Sequence, residues 1–319
     1  MSKNAAVISR ARTRVEYRLQ RHKVSRKVKP ICYISARFPA SHRLPDNNLK
    51  NEQFRLEAVA LSDPGRMRAV NEDTAAVDAE FGFAVVADGM GGHNAGNIAS
   101  RIAVDTLRER LPVKIQHFRA GARQPRPHQF AEQLIGEANR AIYTTALSHS
   151  DCQGMGTTLA LWLLHGRHAA LLHIGDSRIY RLRSGQLQQL TRDDSLLRDQ
   201  VESGLISAAE AATSHNRHFV TRALGQSLQA AIHIHEEEVR AGDVYLLCSD
   251  GLTDMVGDSD IELIVDLLKT NLELAAQHLI QLANDHGGTD NISVALVRVL
   301  GADAAKPGLF GRLFGWLKH

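Results

Sequence analysis

From Leu56 onward the chain repeats one pattern, in which a short apolar run is closed by glycine, aspartate, asparagine or a charged turn. The runs are LEAVALS (56–62), FGFAVVAD (81–88), TTLALWLL (157–164), AALLHIGD (169–176), RIYRL (178–182), QLQQLT (186–191), VYLLCSD (244–250) and ISVALVRV (292–299). Runs of this length predict strands. HGR at 165–167 and RSGQ at 183–186 are tight enough to join neighbouring runs as hairpins. Between the runs, helical periodicity predicts helices at about 95–111, 129–148, 196–204, 258–268 and 271–285. Strands that arrive in pairs, with helices in separate blocks, argue for antiparallel sheets and against a βαβ arrangement. The expected architecture is an α+β sandwich of two sheets with flanking helices.

Residues 1–55 lack this periodicity and carry Pro30, Pro39 and Pro45 in their second half, so they read as a disordered extension. After Val299 the stretch GADAAKPG reads as a linker and LFGRLFGWLKH as a short amphipathic end. The expected organisation is therefore an extension (1–55), a folded body (56–300) and a tail (301–319). Charge sharpens the division. Residues 1–55 hold 14 Lys and Arg against three acids, a balance of +11, and the remainder carries −8. The basic extension reads either as a solvated end or as an anchor for anionic lipid or nucleic acid. The longest apolar stretch, Leu159 to Leu164, is far shorter than the roughly 18 residues of a membrane span. No secretion signal is visible, and Cys32, Cys152 and Cys248 are scattered without CxxC spacing. A cytoplasmic location is expected, with membrane association open through the basic end.

Five aspartates stand where an apolar run ends or beside a glycine: Asp73, Asp88, Asp176, Asp250 and Asp290. Any one of them alone reads as a turn or helix cap. Five such junctions in one chain point to a polyvalent cation, because carboxylates at the ends of buried strands repel one another and resist desolvation. With no Cys or His at ligand spacing, the donors are all oxygen, which selects Mg²⁺ or Mn²⁺ over zinc.

The segments GRMRAVNED (65–73), ADGMGGHNAG (87–96), GMGTTL (154–159), IGDSRIYRLRSGQLQQLTRDDS (174–195), TRALG (221–225), GDVYLLCSDGLTDMV (242–256) and GGTDNISV (287–294) form an ordered set. In order and spacing, over about residues 56–300, the set resembles the metal-dependent protein serine/threonine phosphatases of the protein phosphatase 2C (PPM) family, in its bacterial form. The resemblance implies a four-layer αββα sandwich with a helical flap at about 196–220. It also implies hydrolysis of phosphoserine and phosphothreonine on proteins, opposing a serine/threonine kinase, by hydroxide bridging two Mn²⁺ or Mg²⁺ ions. Asp73, Asp88, the carbonyl of Gly89, Asp250 and Asp290 match the family's binuclear centre. Glu72 matches an acidic neighbour that holds water, and Asp176 with Asp254 matches a third, weaker site. Arg68 matches the arginine that grips phosphate, for which its planar fork is suited. His93 matches the general acid proposed for the departing oxygen.

One position departs from the pattern: LTRDDS places Asp194 where the family usually has histidine, which puts packing near the flap in doubt. His233 and His235 lack partners at ligand spacing and read as surface residues. Two other functions stay open at this point, a small-molecule phosphate-ester hydrolase and a non-catalytic regulatory module on the same fold.

Overall fold

The computed structural model describes residues 54–92, 95–120, 126–207, 210 and 219–302. The expectations for residues 1–53, for His93, for most of the flap and for residues 303–319 lie outside the described residues.

Twelve strands are present among the described residues: β1 (Phe54–Asp63), β2 (Thr74–Asp78), β3 (Phe83–Ala87), β4 (Gly89–Met90), β5 (Gly156–Thr157), β6 (Leu159–His165), β7 (His168–Ile174), β8 (Arg178–Arg183), β9 (Gln186–Gln189), β10 (His233–Glu238), β11 (Val244–Cys248) and β12 (Ile292–Ala302). One sheet has the order β1-β12-β11-β8-β9 and the other β10-β7-β6-β3-β2, while β4 and β5 form a small ribbon. Every pairing is antiparallel. The hairpin between β8 and β9 turns through Ser184 (φ 52°) and Gly185 (φ 78°). Positive φ at both central residues gives the turn whose twist matches the strands.

Continuous apolar runs are more usual in parallel sheets, where both faces are covered. Here antiparallel strands are covered on both faces. In β3, β6 and β7, residues such as Val85, Leu161 and Leu172 pack under α1 (Gly96–Arg119) and α2 (Pro127–Ser148). Their alternate neighbours Val86, Trp162 and Leu171 face Tyr245, Leu247 and Val297 of the opposite sheet. Trp162 and Tyr245 meet across the sandwich with ring centroids 5.1 Å apart. The outer face of the β1-β12-β11-β8-β9 sheet is covered by α5 (Asp258–Leu268) and α6 (Leu272–Asp285). Two shorter helices also lie among the described residues, α3 (Leu196–Glu202) and the single turn α4 (Asp250–Thr253). The result is helix, sheet, sheet, helix, as expected.

Several boundaries differ from the expectation. β1 begins at Phe54 and β12 runs to Ala302, because these two residues pair. The two strands therefore reach two residues beyond 56 and 300. The helix expected to stop at 111 continues through Pro112 to Arg119, since Leu111 and Ile115 lie one turn apart and both are buried. β2 was not expected at all: its apolar run is only Ala75, Ala76 and Val77. No described helix is long and apolar enough to cross a membrane.

Candidate functional site

Antiparallel neighbours bring opposite strand ends together, and this collects the aspartates at one rim. Asp73 precedes β2, whose Thr74 pairs with Ala87 immediately before Asp88. Asp250 follows β11, whose Cys248 pairs with Val294 near the start of β12, just after Asp290. Asp176 leaves the end of β7. Repulsion shows how close they lie. Burial first, then the charges of Asp73, Asp250, Asp176 and Asp290, push the Asp88 carboxyl well above its ordinary value. Burial, with Asp250 and Asp193, does the same to Asp176.

Asp73 is buried, at 8% exposure. Its Oδ2 accepts a hydrogen bond from Ser249 Oγ at 2.7 Å. Its Oδ1 is buried with no hydrogen-bond partner. Burial pushes this carboxyl up to about 7, and Asp250 and Asp290 add to the effect. An orphaned buried carboxylate oxygen facing further carboxylates fits a hard cation. Among the described residues no three His, Cys, Asp or Glu side chains are already drawn into a coordination cluster. Instead one charge is met by protein: Arg68 Nη2 donates to Asp290 Oδ2 at 2.8 Å. The Arg68 side chain is 54% exposed, so its guanidinium stands at the open rim beside the carboxylates.

Glu72 is held for a second reason besides its neighbourhood to the aspartates. Its Oε1 accepts from the backbone of Gly96 at 3.0 Å, and its carbonyl accepts from Ser100 Oγ at 2.6 Å. A carboxylate at the first residue of α1 complements the exposed N–H groups and dipole there. Gly89 is required by the protein itself: a Cβ there would stand 2.1 Å from the Gly96 carbonyl and 2.6 Å from that of Glu72. Asp254 lies one helical turn beyond Asp250, with its backbone N–H bonded to the Asp250 carbonyl.

Several residues that build the rim were not singled out from the sequence. Asn291 donates to the carbonyls of Pro64 and Val70 and accepts from the Glu72 N–H, so it ties the loop bearing Arg68 to Asp290. Thr158 Oγ1 accepts from the Asp88 N–H at 2.9 Å and contacts Ser177 Oγ at 2.6 Å, joining Asp88 to the Asp176 turn. The available signals were the position of Asn291 beside Asp290 in TDN and of Thr158 within the GMGTTL segment. His233, read as a surface residue lacking partners at ligand spacing, is partly exposed at 35% but has partners distant in sequence. Its Nε2 lies 3.0 Å from Asp194 Oδ1, and its ring stacks on His173 at 4.8 Å. β10 pairs with β7, and this sets His233 opposite His173 where the sequence offers no spacing to reveal it. His235 is 59% exposed, as read.

Comparison with known proteins agrees with this geometry. The family model for protein phosphatase 2C matches residues 66–284. The serine/threonine protein phosphatase PstP of Mycobacterium tuberculosis is 37% identical over 266 residues, which are 82% of this chain and 48% of PstP. The chain thus spans about half the length of that relative. The serine/threonine phosphatase stp of Listeria welshimeri is 36% identical over 247 residues, 76% of this chain and 95% of that protein. A crystal structure of the PstP catalytic domain in complex with two manganese ions superposes with a TM-score of 0.66 at 35% identity, covering 78% of this chain and 100% of that one. With the motifs, the four layers and the family model coinciding on the same residues, the chain belongs to the protein phosphatase 2C family.

Proposed function

We propose that this chain is a metal-dependent phosphatase that hydrolyses phosphoserine and phosphothreonine on proteins, and so opposes a serine/threonine kinase. The observation that carries the reading is the rim of aspartates from separate strand ends, mutually repelling, with Asp73 Oδ1 buried and unpartnered and Arg68 beside them. Asp73, Asp88, the Gly89 carbonyl, Asp250 and Asp290 would hold two Mn²⁺ or Mg²⁺ ions, with Glu72 beside them and Asp176 and Asp254 available to a third. When bound, the ions lower the pKa of water and polarise the phosphoryl oxygens.

The remaining work falls to this chain's own groups. Arg68 presents paired N–H donors to two phosphate oxygens and fixes the orientation of the phosphorus. Thr158 fixes the Asp88 backbone through its N–H, and Ser249 donates to the Asp73 carboxylate, so both aspartates keep their place at the rim. His93, three residues beyond the rim strand β4, supplies the proton to the departing seryl or threonyl oxygen, which is a poor leaving group as an alkoxide.

The test is phosphate release from a phosphothreonine peptide, with sugar phosphates as competitors of a different class. Turnover should need added Mn²⁺, disappear with EDTA, and favour the peptide. Asp88→Asn should lose on the order of 10³-fold or more, since metal-assisted charge stabilisation contributes several kcal/mol. Undiminished turnover in EDTA, or faster turnover of sugar phosphates, overturns the reading.

A further inference from the structure

Asp194 is a carboxylate at 1% exposure, away from the rim and with no part in the chemistry above. It is nevertheless fully bonded. Oδ2 accepts from the Gly175 N–H at 3.1 Å, and Oδ1 accepts from Arg222 Nη1 at 3.1 Å and His233 Nε2 at 3.0 Å. Its backbone is engaged too: the Asp194 N–H donates to the Gly175 carbonyl at 2.9 Å, and its carbonyl accepts from the Thr221 N–H at 2.8 Å.

These contacts join two places of functional weight. One is the neck through which the flap leaves and returns, where Ser195 bridges Val220 and the Leu196 N–H donates to the Phe219 carbonyl. The other is the turn carrying Asp176. Gly175 sits there at φ +96°, and a Cβ on it would approach Thr158 Cγ2 to 2.7 Å, so the turn is pressed against Thr158, which bonds the Asp88 N–H. A continuous path of short contacts therefore runs from the flap neck through Asp194, Gly175 and Thr158 to Asp88. A carboxylate this deeply buried keeps its place only while its cationic and N–H partners hold it.

We infer that Asp194 is a positioning residue for the phosphatase site, supported by His233 and Arg222, and that it fixes the Asp176 turn and the flap neck in one register. The inference rests on the phosphatase reading of Asp88 and Asp176. It assigns His233, on the edge strand β10, an influence on the site that acts only through Asp194.

The experiment compares the full chain with Asp194→Ala, His233→Ala and the double variant. Amide hydrogen exchange in the metal-free protein should accelerate about tenfold or more at Gly175 and Thr221 in each single variant: Asp194→Ala removes the Oδ2 acceptor of the Gly175 N–H, and in either variant the loosened Asp194 segment releases the Thr221 N–H from its backbone carbonyl more often. Exchange in α6 should be unchanged. With Mn²⁺, kcat/KM on the phosphothreonine peptide should fall about tenfold, and the double variant should match Asp194→Ala, because residues acting through one contact are not additive. His233→Gln, which keeps a side-chain N–H donor, should restore both readouts. If Asp194→Ala does not fold, the isosteric Asp194→Asn carries the exchange measurement. Unchanged exchange at Gly175 and Thr221, uniform acceleration across the chain, or additive losses in the double variant overturn the inference. Exchange is read without turnover, so a chain inactive on every phosphate ester overturns the phosphatase reading by a separate result.

Discussion

Asp73 concentrates the electrostatics of the rim in one side chain. Its carboxyl is pushed up to about 7 by burial and by Asp250 and Asp290, so the folded metal-free chain holds a proton there that the unfolded chain has already released. A folded-state value above the unfolded one gives stability that is fully present at low pH and lost as pH rises through about 7. The melting temperature of the metal-free protein should therefore fall between about pH 5 and 8, and Mn²⁺ added at pH 8 should restore it. Asp73→Asn should flatten the pH profile and reduce the gain from Mn²⁺. A metal-free melting temperature that rises over this range contradicts the account. The carboxylates themselves were legible from the sequence, because each sits at a strand end next to a turn residue. Their supports were not. Ser249, Asn291 and Thr158 are ordinary polar residues until the fold sets them against the carboxylate of Asp73 and the backbone N–H groups of Glu72 and Asp88, and the partnership of Asp194 with His233 joins a loop to the strand β10, which no local spacing relates.

At the scale of elements, the strands were legible where apolar runs were long, and failed where one was short, as in β2. The end of α1 was misplaced because proline normally stops a helix, whereas burial of Leu111 and Ile115 on one face carries this helix past Pro112. The start of α1 depends on a contact hidden from sequence patterning. Gly96 lies against Gly89 so closely that a Cβ on Gly96 would stand 2.5 Å from the Gly89 carbonyl carbon. Two effects oppose each other in Gly96→Ala. Alanine favours the helix by up to about 1 kcal/mol, while forcing backbone apart costs about 1–3 kcal/mol. The clash involves backbone on both sides and cannot be relieved by a rotamer, so it should win. Gly96→Ala should lower the melting temperature by several degrees and weaken Mn²⁺ binding measured by calorimetry. Gly92→Ala, whose added Cβ meets nothing within 4 Å, serves as the control. Equal melting temperatures for the two variants would show that the Gly89–Gly96 contact is not structurally limiting.

The whole molecule sets an acidic body against a basic beginning, −8 beyond residue 55 and +11 before it. Phe54 pairs opposite Ala302 at the ends of β1 and β12, so a chain trimmed to residues 54–302 keeps every strand pair seen among the described residues. It should melt as the full chain does and hydrolyse the phosphothreonine peptide at a similar rate. Trimming to residues 62–302 removes most of β1, uncovers β12 and strips the apolar contacts of Val59, Ala60 and Leu61, so this shorter chain should not give a cooperative transition. The charge balance then localises surface association. A net-negative body is repelled by anionic vesicles, so any attraction would run through the segments outside residues 54–302, of which the first 53 residues carry most of the positive charge. Each Lys or Arg near such a surface contributes about 1 kcal/mol at low ionic strength, and screening shortens the reach of that attraction to about 8 Å at physiological salt. Sedimentation with phosphatidylserine vesicles should therefore show salt-sensitive binding by the full chain and none by residues 54–302. Binding by the trimmed chain, or binding by the full chain that persists at 0.5 M salt, would place the contact on the folded body and remove the role assigned to the basic segment.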